Sequence, residues 1–307
     1  MTLQPNLPID RVPPIARETV CCALCGNDTP RLLYTIPLKT KLLSGIWVNG
    51  ERVEVDGVET IVVCRKCGLQ YVNPRWVADG TLIPYTEAME QAYFASTYAV
   101  RRQTYRRLIT QLPTWLGRNV DNILDVGCGD GVLLEAAHAA GIAATGTELS
   151  ATLRQFVGEK YGGKIAITET VADIPSTFDV ITLINVLEHV AAPHELLAEL
   201  AEKLNPDGIL LVHTPNAGGL PARWQGATWS QIEPLGHLYY FSAQTLGAML
   251  EKAGFEPIGR FHLAVSGRVK GIAQQLMGRV GLYLDNGLGM AARRKLPQRK
   301  LPQRSGE

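Results

Sequence analysis

The sequence has no run of about 18 or more apolar residues, so it offers no candidate for a membrane-spanning helix. Its first residues, MTLQPNLPIDRVPP, also lack the basic and apolar regions of a secretory signal peptide. These two absences predict a cytoplasmic protein. With 307 residues, the chain is long enough for one large domain and a smaller one.

Neither sign of charge is in strong excess: the chain has 30 basic and 29 acidic residues, which gives a net charge of +1. The distribution is uneven. Residues 286–307 carry six basic residues and one acid, which leaves a net charge of −4 on residues 1–285. A negatively charged body is a poor general binder of phosphate backbones. We therefore expect a small-molecule partner rather than nucleic acid.

Cysteine is scarce, and five of the six cysteines fall in two tight clusters. Cys22 and Cys25 form a C-x-x-C pair followed by glycine, and Cys64 and Cys67 form a second. In a cytoplasmic chain such pairs favour a metal over disulfides, and four thiolates suit a tetrahedral, structural Zn²⁺ site. A redox pair is the alternative.

Composition divides the chain into segments. In the cysteine-bounded part, Asn49-Gly50 and Asp56-Gly57 favour hairpin turns. A helix is expected after that part, and Pro113 is expected to end it. We expect a flexible N-terminus (1–18), a β-rich zinc-binding module (19–78), a helical connector or lid (79–118), a main domain (119–265), a helical segment (266–290) and a basic disordered tail (291–307). The basic C-terminal segment could contact a membrane surface weakly.

Strand-like and helix-like patterns alternate through the main domain. The fourth strand-like run, FDVITLINVL, is almost entirely apolar, as buried parallel strands are. Ser150 and Ser242 stand where helix N-caps are expected. The alternation predicts an α/β fold with a doubly wound, mostly parallel, Rossmann-like sheet. We identify six strands, at 123–126, 142–149, 164–170, 178–187, 208–214 and 256–265.

The first of these strands runs into a glycine-rich turn, ILDVGCGDG. Its spacing is D-x-G-x-G-x-G, whereas a nicotinamide dinucleotide site would use G-x-G-x-x-G and would need glycine at Val132. The next strand ends in Glu148, nineteen residues after Gly129. A carboxylate there can accept hydrogen bonds from both hydroxyls of a ribose. The pattern predicts a nucleoside site at the carboxyl edge of the sheet.

The order of ILDVGCGDG, GTELS, FDVITLINVLEHV and GILLVHTPN resembles class I S-adenosylmethionine-dependent methyltransferases over residues 120 to about 262. The resemblance implies that the loop from Asp125 to Gly131 surrounds the methionine part of S-adenosylmethionine. It also implies that Glu148 holds the ribose, that Asp173 lies near the adenine, and that Asn185 lies beside the reaction centre. The cofactor-binding residues are then Asp125, Gly127, Cys128, Gly129, Gly131, Glu148, Asp173 and Asn185.

The motifs CALCG and CRKCGLQYVNPR, together with this core, resemble a bacterial subgroup of sugar and other small-molecule methyltransferases. Sugar C-methyltransferases of that kind carry a further large C-terminal domain, which we do not expect here, so O-methylation is favoured. The class has seven strands, the last antiparallel. The seventh strand would have to lie in or after residues 264–275, where the sequence is more typical of a helix.

A hydroxyl acceptor usually needs a general base. Glu188 and His189 follow the fourth strand, and His237 lies in GHLYYFS before the Ser242 helix, so these three residues are the candidate catalytic groups. His189 could equally pack under a loop and hydrogen-bond to the backbone. Tyr98 and Arg102, one helical turn apart, could cover the carboxylate of the cofactor.

Two other functions remain open from the sequence. An RNA methyltransferase could use the zinc module to grip RNA, although NVLE stands where base N-methyltransferases carry an N/D-P-P-Y motif. The domain could also bind the cofactor without catalysing a reaction. An intact glycine loop and Glu148 argue for an enzyme.

Overall fold

The computed structural model describes residues 16–38, 46–48, 51–53, 57–76, 82–83, 87–263 and 286–295. Its centre is a seven-stranded sheet with strand order β11-β10-β9-β12-β13-β16-β15. The strands of this sheet are β9 (Asn122–Val126), β10 (Ala143–Thr147), β11 (Ala166–Thr168), β12 (Phe178–Ile184), β13 (Leu204–Pro215), β15 (Phe255–Phe261) and β16 (Gly287–Arg294).

Six of the seven strands run in the same direction, and β16 runs antiparallel to its neighbours β13 and β15. Leu124 of β9 lies between Thr145 of β10 and Ile181 of β12, so the carboxyl ends of these strands share one edge of the sheet. The middle strands are buried on both faces, which is why their sequences are nearly continuous apolar runs. The predicted doubly wound, mostly parallel sheet is confirmed.

Helices pack on the faces of the sheet. Ser150 accepts a hydrogen bond from the backbone N–H of Leu153, and Ser242 forms a reciprocal capping box with Thr245, so both predicted N-caps are present. Two apolar clusters form the core of the main domain. The helices are α1 (Glu87–Leu116), α2 (Val132–Ala139), α3 (Ala151–Tyr161), α4 (Pro193–Lys203), α5 (Leu220–Gln225) and α6 (Ala243–Lys252). No helix in the described ranges is both long and apolar enough to span a membrane.

The seventh strand, β16, corrects the prediction for the C-terminal part of the chain. Gly287–Arg294 is neither helix nor disordered tail, but pairs antiparallel with β13 and β15. Its side chains alternate: Leu288, Met290 and Ala292 join one core cluster, and Ala291 joins the other. Glycine and alanine have low strand propensity, so the local sequence does not favour a strand here. The extended conformation comes from pairing with β13 and β15 on the two sides. Residues 264–285 and 296–307 lie outside the described residues.

Helix α1 also differs from expectation, because it continues past Pro113 to Leu116. The buried side chains of Leu108, Leu112 and Leu116 repeat every four residues and pack into the core beside β9. This packing outweighs the lost backbone hydrogen bond at proline. Gly117 ends the helix, with its N–H donating to the carbonyl of Pro113 at 2.8 Å.

The N-terminal module is β-rich, as predicted, but it shares a sheet with the main domain. Its strands β5 (Val58–Cys64) and β6 (Gln70–Val72) pair with each other. On the outer sides, β5 pairs with β2 (Pro30–Pro37), and β6 pairs with β14 (Tyr239–Tyr240) of the main domain. Arg17 and Glu18 also form a strand, so the expected flexible N-terminus does not extend to residue 18, and residues 1–15 lie outside the described part. The remaining strands are β1 (Arg17–Glu18), β2 (Pro30–Pro37), β3 (Ile46–Val48), β4 (Glu51–Val53), β5 (Val58–Cys64), β6 (Gln70–Val72), β7 (Arg75–Trp76), β8 (Leu82–Ile83) and β14 (Tyr239–Tyr240).

The close pairing of β15 with β16 generates a stability prediction. A Cβ atom on Gly289 would lie 2.3 Å from the carbonyl oxygen of Phe261. We expect Gly289→Ala to destabilise the protein by about 1–3 kcal/mol, because the strands must separate to admit the methyl group. Gly158→Ala is the matched control: it places the same methyl group in open space within α3 and should stabilise by about 0.5–1 kcal/mol. Urea unfolding followed by circular dichroism measures both, and equal midpoints would contradict this account of β16.

Candidate functional site

The glycine-rich turn leaves the carboxyl end of β9 and crosses to β10. The N–H of Cys128 donates to the carbonyl of Thr147 at 2.9 Å, and the N–H of Gly131 donates to the carbonyl of Cys128 at 3.0 Å. These bonds close the turn against the end of β10. The loop therefore lies at the sheet edge where ligands of open α/β sheets bind.

Two glycines of the turn are required by their surroundings. Gly127 and Gly129 have φ angles of 68° and 56°, in the left-handed region. A Cβ atom on Gly127 would lie 2.6 Å from Val186, and one on Gly129 would lie 2.9 Å from the ring of Phe94. The loop is thus held between the segment after β12 and helix α1, with no room for side chains at these positions.

Glu148, after β10, contacts the glycine loop directly. One carboxylate oxygen accepts a hydrogen bond from the N–H of Gly129 at 2.9 Å, and the other accepts one from Ser150 at 3.0 Å. The predicted register of turn and acid on neighbouring strands is therefore present in three dimensions. The arrangement fixes a carboxylate beside a backbone loop, as a nucleoside site requires.

Asp125, before the turn, is buried beneath the loop. Its carboxyl accepts a hydrogen bond from the Thr182 hydroxyl at 2.6 Å. Burial raises the pKa of Asp125 to about 7, the Thr182 hydrogen bond lowers it, and the charge of Glu148 raises it further.

The other predicted cofactor residues occupy different positions at this edge. The Cys128 side chain is buried against Gly146, so only its backbone borders the loop surface. Asn185 is exposed at the end of β12 with a φ angle of 57°, and its side-chain oxygen pairs with Nδ1 of His213 at 2.9 Å. Asp173 is exposed and accepts a hydrogen bond from the Thr170 hydroxyl at 2.7 Å.

Helix α1 covers the loop through contacts that the sequence did not reveal. Arg101 makes a bidentate ion pair with Asp130 of the loop, at 2.6 and 2.7 Å. Tyr98 and Arg102, which we expected above the cofactor, bind Glu135 of α2 instead. The arginine-rich stretch was a visible signal, but only the packing of α1 shows which arginine faces the loop.

The three predicted catalytic residues come together. Glu188, His189 and His237 each place one potential ligand atom within 4.8 Å of the others. The backbone brings them together, because the N–H of Leu238 donates to the carbonyl of Glu188 at 2.8 Å. Val186, two residues before Glu188, contacts Gly127, so the cluster lies on the segment that borders the glycine loop.

Each histidine of the cluster is oriented by the backbone. Nδ1 of His189 lies 2.9 Å from the carbonyl oxygen of Gly236, and Nδ1 of His237 lies 2.9 Å from that of Gln231. A carbonyl can only accept, so Nδ1 donates and Nε2 keeps a free lone pair in the neutral ring. His189 is exposed, whereas His237 is buried. Removal from water lowers the pKa of both rings, and for His189 the neighbouring His237 adds to the effect.

Glu188 lies fully buried beneath the two histidines. Within the described residues neither of its carboxylate oxygens has a hydrogen-bond partner. Burial raises its pKa to about 8. Its own backbone and the Thr214 hydroxyl are near enough to oppose this shift in part, but neither makes a hydrogen bond to the carboxylate. A carboxyl group without partners is costly to bury, so its position beside two oriented imidazoles points to a functional role.

The four cysteines predicted to bind metal also converge. Sγ of Cys22 lies 3.4 Å from that of Cys67, Sγ of Cys25 lies 3.5 Å from that of Cys64, and all four lie within 4.8 Å of one another. The two knuckles come from the turns before β2 and after β5. Four thiols around one point could hold a tetrahedral Zn²⁺ ion.

Comparison with known proteins identifies the domain. A family model described as a methyltransferase domain matches residues 98–258, more than half of the chain. A ubiquinone biosynthesis O-methyltransferase of Bordetella bronchiseptica is 30% identical over 151 residues, covering 45% of this chain and 63% of that protein. The mitochondrial protein of the same name from Schizosaccharomyces pombe is 34% identical over 102 residues, covering 30% and 37%. The chain thus spans less than two thirds of the length of these relatives.

A solved structure supports the fold independently. A S-adenosylmethionine-dependent methyltransferase from Clostridium acetobutylicum superimposes with a TM-score of 0.50 and 8% identity, covering 68% of this chain and 100% of that one. At this identity the similarity concerns the fold alone. The resemblance of residues 120 to about 262 to S-adenosylmethionine-dependent methyltransferases is confirmed by the family model, and the fold agrees with it.

The raised pKa of Asp125 generates a prediction about stability and pH. Its folded pKa, about 7, lies above its ordinary value of 3.8. The stability contributed by this group is therefore complete below its unfolded pKa and is lost as the pH rises through about 7. The asparagine in Asp125→Asn does not titrate. We therefore expect the stability of this variant, relative to that of the wild type, to increase from pH 4 to pH 8 by on the order of a few kcal/mol. Urea unfolding at both pH values measures the difference.

Asp179 provides a control of opposite sign. Hydrogen bonds from the Arg118 guanidinium hold the pKa of Asp179 well below its usual range. Its contribution to stability is present above the unfolded pKa and is lost as the pH falls. The stability that Asp179→Asn loses should therefore be nearly the same at pH 4 and at pH 8, and should become smaller only as the pH falls below the ordinary pKa of 3.8. The same pH trend in both variants would contradict the raised pKa of Asp125.

Proposed function

Since the chain belongs to the methyltransferase domain family, we propose that it transfers a methyl group from S-adenosylmethionine to a hydroxyl of a small molecule. The observation that carries the proposal is the contact between the glycine loop and Glu148, at the edge where β9, β10 and β12 end. Beside this loop lies a cluster of an acid and two neutral imidazoles suited to activating an acceptor.

The cofactor would bind along the sheet edge. The backbone from Asp125 to Gly131 would surround its methionine part, and Glu148 would accept hydrogen bonds from the ribose hydroxyls. Asp173 would lie near the adenine and Asn185 beside the sulfonium. Arg101 and Phe94 would hold α1 over the loop and exclude water.

When bound, S-adenosylmethionine would supply a sulfonium-bound methyl group for in-line displacement: the S–CH₃ bond would break as the O–CH₃ bond forms, leaving a neutral thioether. The residues around the acceptor would have to accept the proton that its hydroxyl loses. Positioning supplies much of the rate, and activation of the hydroxyl supplies the rest. We assign that activation to Glu188, His189 and His237, because His189 is exposed and borders the segment that contacts the loop.

Oxygen as the acceptor atom is supported by the relatives, whose names describe O-methyltransferases. The acceptor would be a sugar or another biosynthetic intermediate. The four cysteines would hold a structural Zn²⁺ ion whose tetrahedral shell is complete and takes no part in the reaction. The ion would stabilise the N-terminal module, and the module would support the candidate catalytic residues through β6, which pairs with the strand that follows His237.

The cofactor assignment is tested by Glu148→Ala. We expect affinity for S-adenosylmethionine to fall about tenfold or more, because the variant removes an acceptor of two charge-assisted hydrogen bonds. Isothermal titration calorimetry measures the affinity, and circular dichroism checks the fold. Glu159→Ala removes an acid from the surface of α3 and should bind as wild type does. Unchanged affinity in Glu148→Ala would refute the assignment of Glu148 to the ribose. If the wild type bound NAD rather than S-adenosylmethionine, the cofactor assignment would be refuted.

The catalytic assignment is tested by His189→Ala. We expect the rate of methyl transfer to fall about 10²- to 10⁴-fold, because the acceptor loses the group that assists its deprotonation, while affinity for S-adenosylmethionine stays unchanged. The rate is measured with any hydroxyl acceptor that the wild type methylates. His138→Ala, which removes an exposed histidine from α2, is the control. An unchanged rate in His189→Ala would remove this residue from the mechanism.

A further inference from the structure

We propose that Glu188, His189 and His237 bind a single divalent transition-metal ion, separate from the four-cysteine site. The ion would be held by one carboxylate oxygen and by Nε2 of each histidine. Binding rests on the geometry of the three residues. Only the further step, in which the ion holds the acceptor oxygen, rests on the proposed methyl transfer.

The first argument is the state of Glu188. Its side chain is completely buried, and both of its oxygens are without partners in the part of the chain that the structure describes. No lysine or arginine pairs with it there either. Buried carboxylates in proteins are normally paired or bound to a metal. A cation would satisfy this group.

The second argument is the orientation of the two imidazoles. Metal-bound histidines nearly always donate their other ring N–H to a carbonyl or carboxylate, which fixes the tautomer and the direction of the ring. His189 and His237 both have this bond, to Gly236 and Gln231, each at 2.9 Å. Their ring centroids lie 4.8 Å apart in an edge-on arrangement. Each Nε2 is therefore available for a ligand.

The third argument is the composition of the set. Two imidazoles and one carboxylate form the ligand set of catalytic zinc sites and of non-haem iron sites, both of which keep coordination positions open. Because His189 is exposed, a further ligand could reach the ion from solvent. The four-cysteine site offers soft thiolates and a complete shell, so the two sites differ in chemistry and in access.

An ion at this position would complete the proposed reaction. Coordination of the acceptor oxygen lowers the pKa of its hydroxyl, so the proton leaves to solvent before the methyl group is transferred. His189 and His237 would then act as ligands, and Glu188 would neutralise part of the charge. Without an ion, the same imidazoles would accept the proton directly.

The test uses Co²⁺ as the probe on the full chain. The protein is first treated with a chelator to remove weakly held metal, and zinc analysis should then give about one Zn²⁺ per chain, held by the four cysteines. We expect Co²⁺ titration of the wild type to add one ion, with visible d–d absorption but without the near-ultraviolet thiolate charge-transfer bands of a cysteine site. His189→Ala and Glu188→Gln should weaken this binding about 100-fold, whereas His138→Ala should leave it unchanged. His189 is exposed, so its variant should fold even if the Glu188 variant does not.

The outcomes separate this proposal from the proposed function. No added Co²⁺ in the wild type, or equal Co²⁺ affinity in wild type and His189→Ala, would overturn the metal site. If the His189→Ala rate still fell in that case, the imidazoles would act as bases and methyl transfer would stand. If the wild type bound Co²⁺ but not S-adenosylmethionine, the metal site would stand and the proposed function would fail.

Discussion

The candidate site depends on the parallel pairing of β9 between β10 and β12. This pairing sets Asp125 beside Gly146 on one side and Thr182 on the other, so the three strands end together. The turn after β9, the acid after β10 and the segment after β12 then meet without any long-range loop to position them. A slip of one residue in this register would turn Asp125 to the opposite face and break its bond to Thr182.

A second pairing connects the cysteine module to the chemistry. The N–H of Val72 in β6 donates to the carbonyl of Leu238, and Leu238 in turn donates to the carbonyl of Glu188. The strand that follows His237 is therefore held between the module and the cluster. The module acts as a support for the candidate catalytic residues, and its β-sheet is continuous with a strand of the main domain.

Patterns that depend on local sequence could be predicted, and those that depend on distant partners could not. The apolar run of β12 and the two serine caps are local signals, and each appears where we expected it. The strand β16 is rich in glycine and alanine, and it exists because β13 and β15 leave a gap between them. The Arg101–Asp130 ion pair also depends on a distant partner and could not be predicted, because no spacing rule links a helix residue to a loop residue 29 positions away.

Several unfavourable features of the described residues lie at one edge of the central sheet. Asp125 and Glu188 are buried with raised pKa values, and Asn185 has a left-handed backbone. Elsewhere a buried acid such as Asp179 is fully paired, here with Arg118. A fold selected for stability alone would not keep an unpaired carboxyl beneath two histidines, because an apolar side chain of similar size would cost less there. Such exceptions to local rules are expected where a ligand completes the interactions, and they support the proposal that substrates bind at this edge.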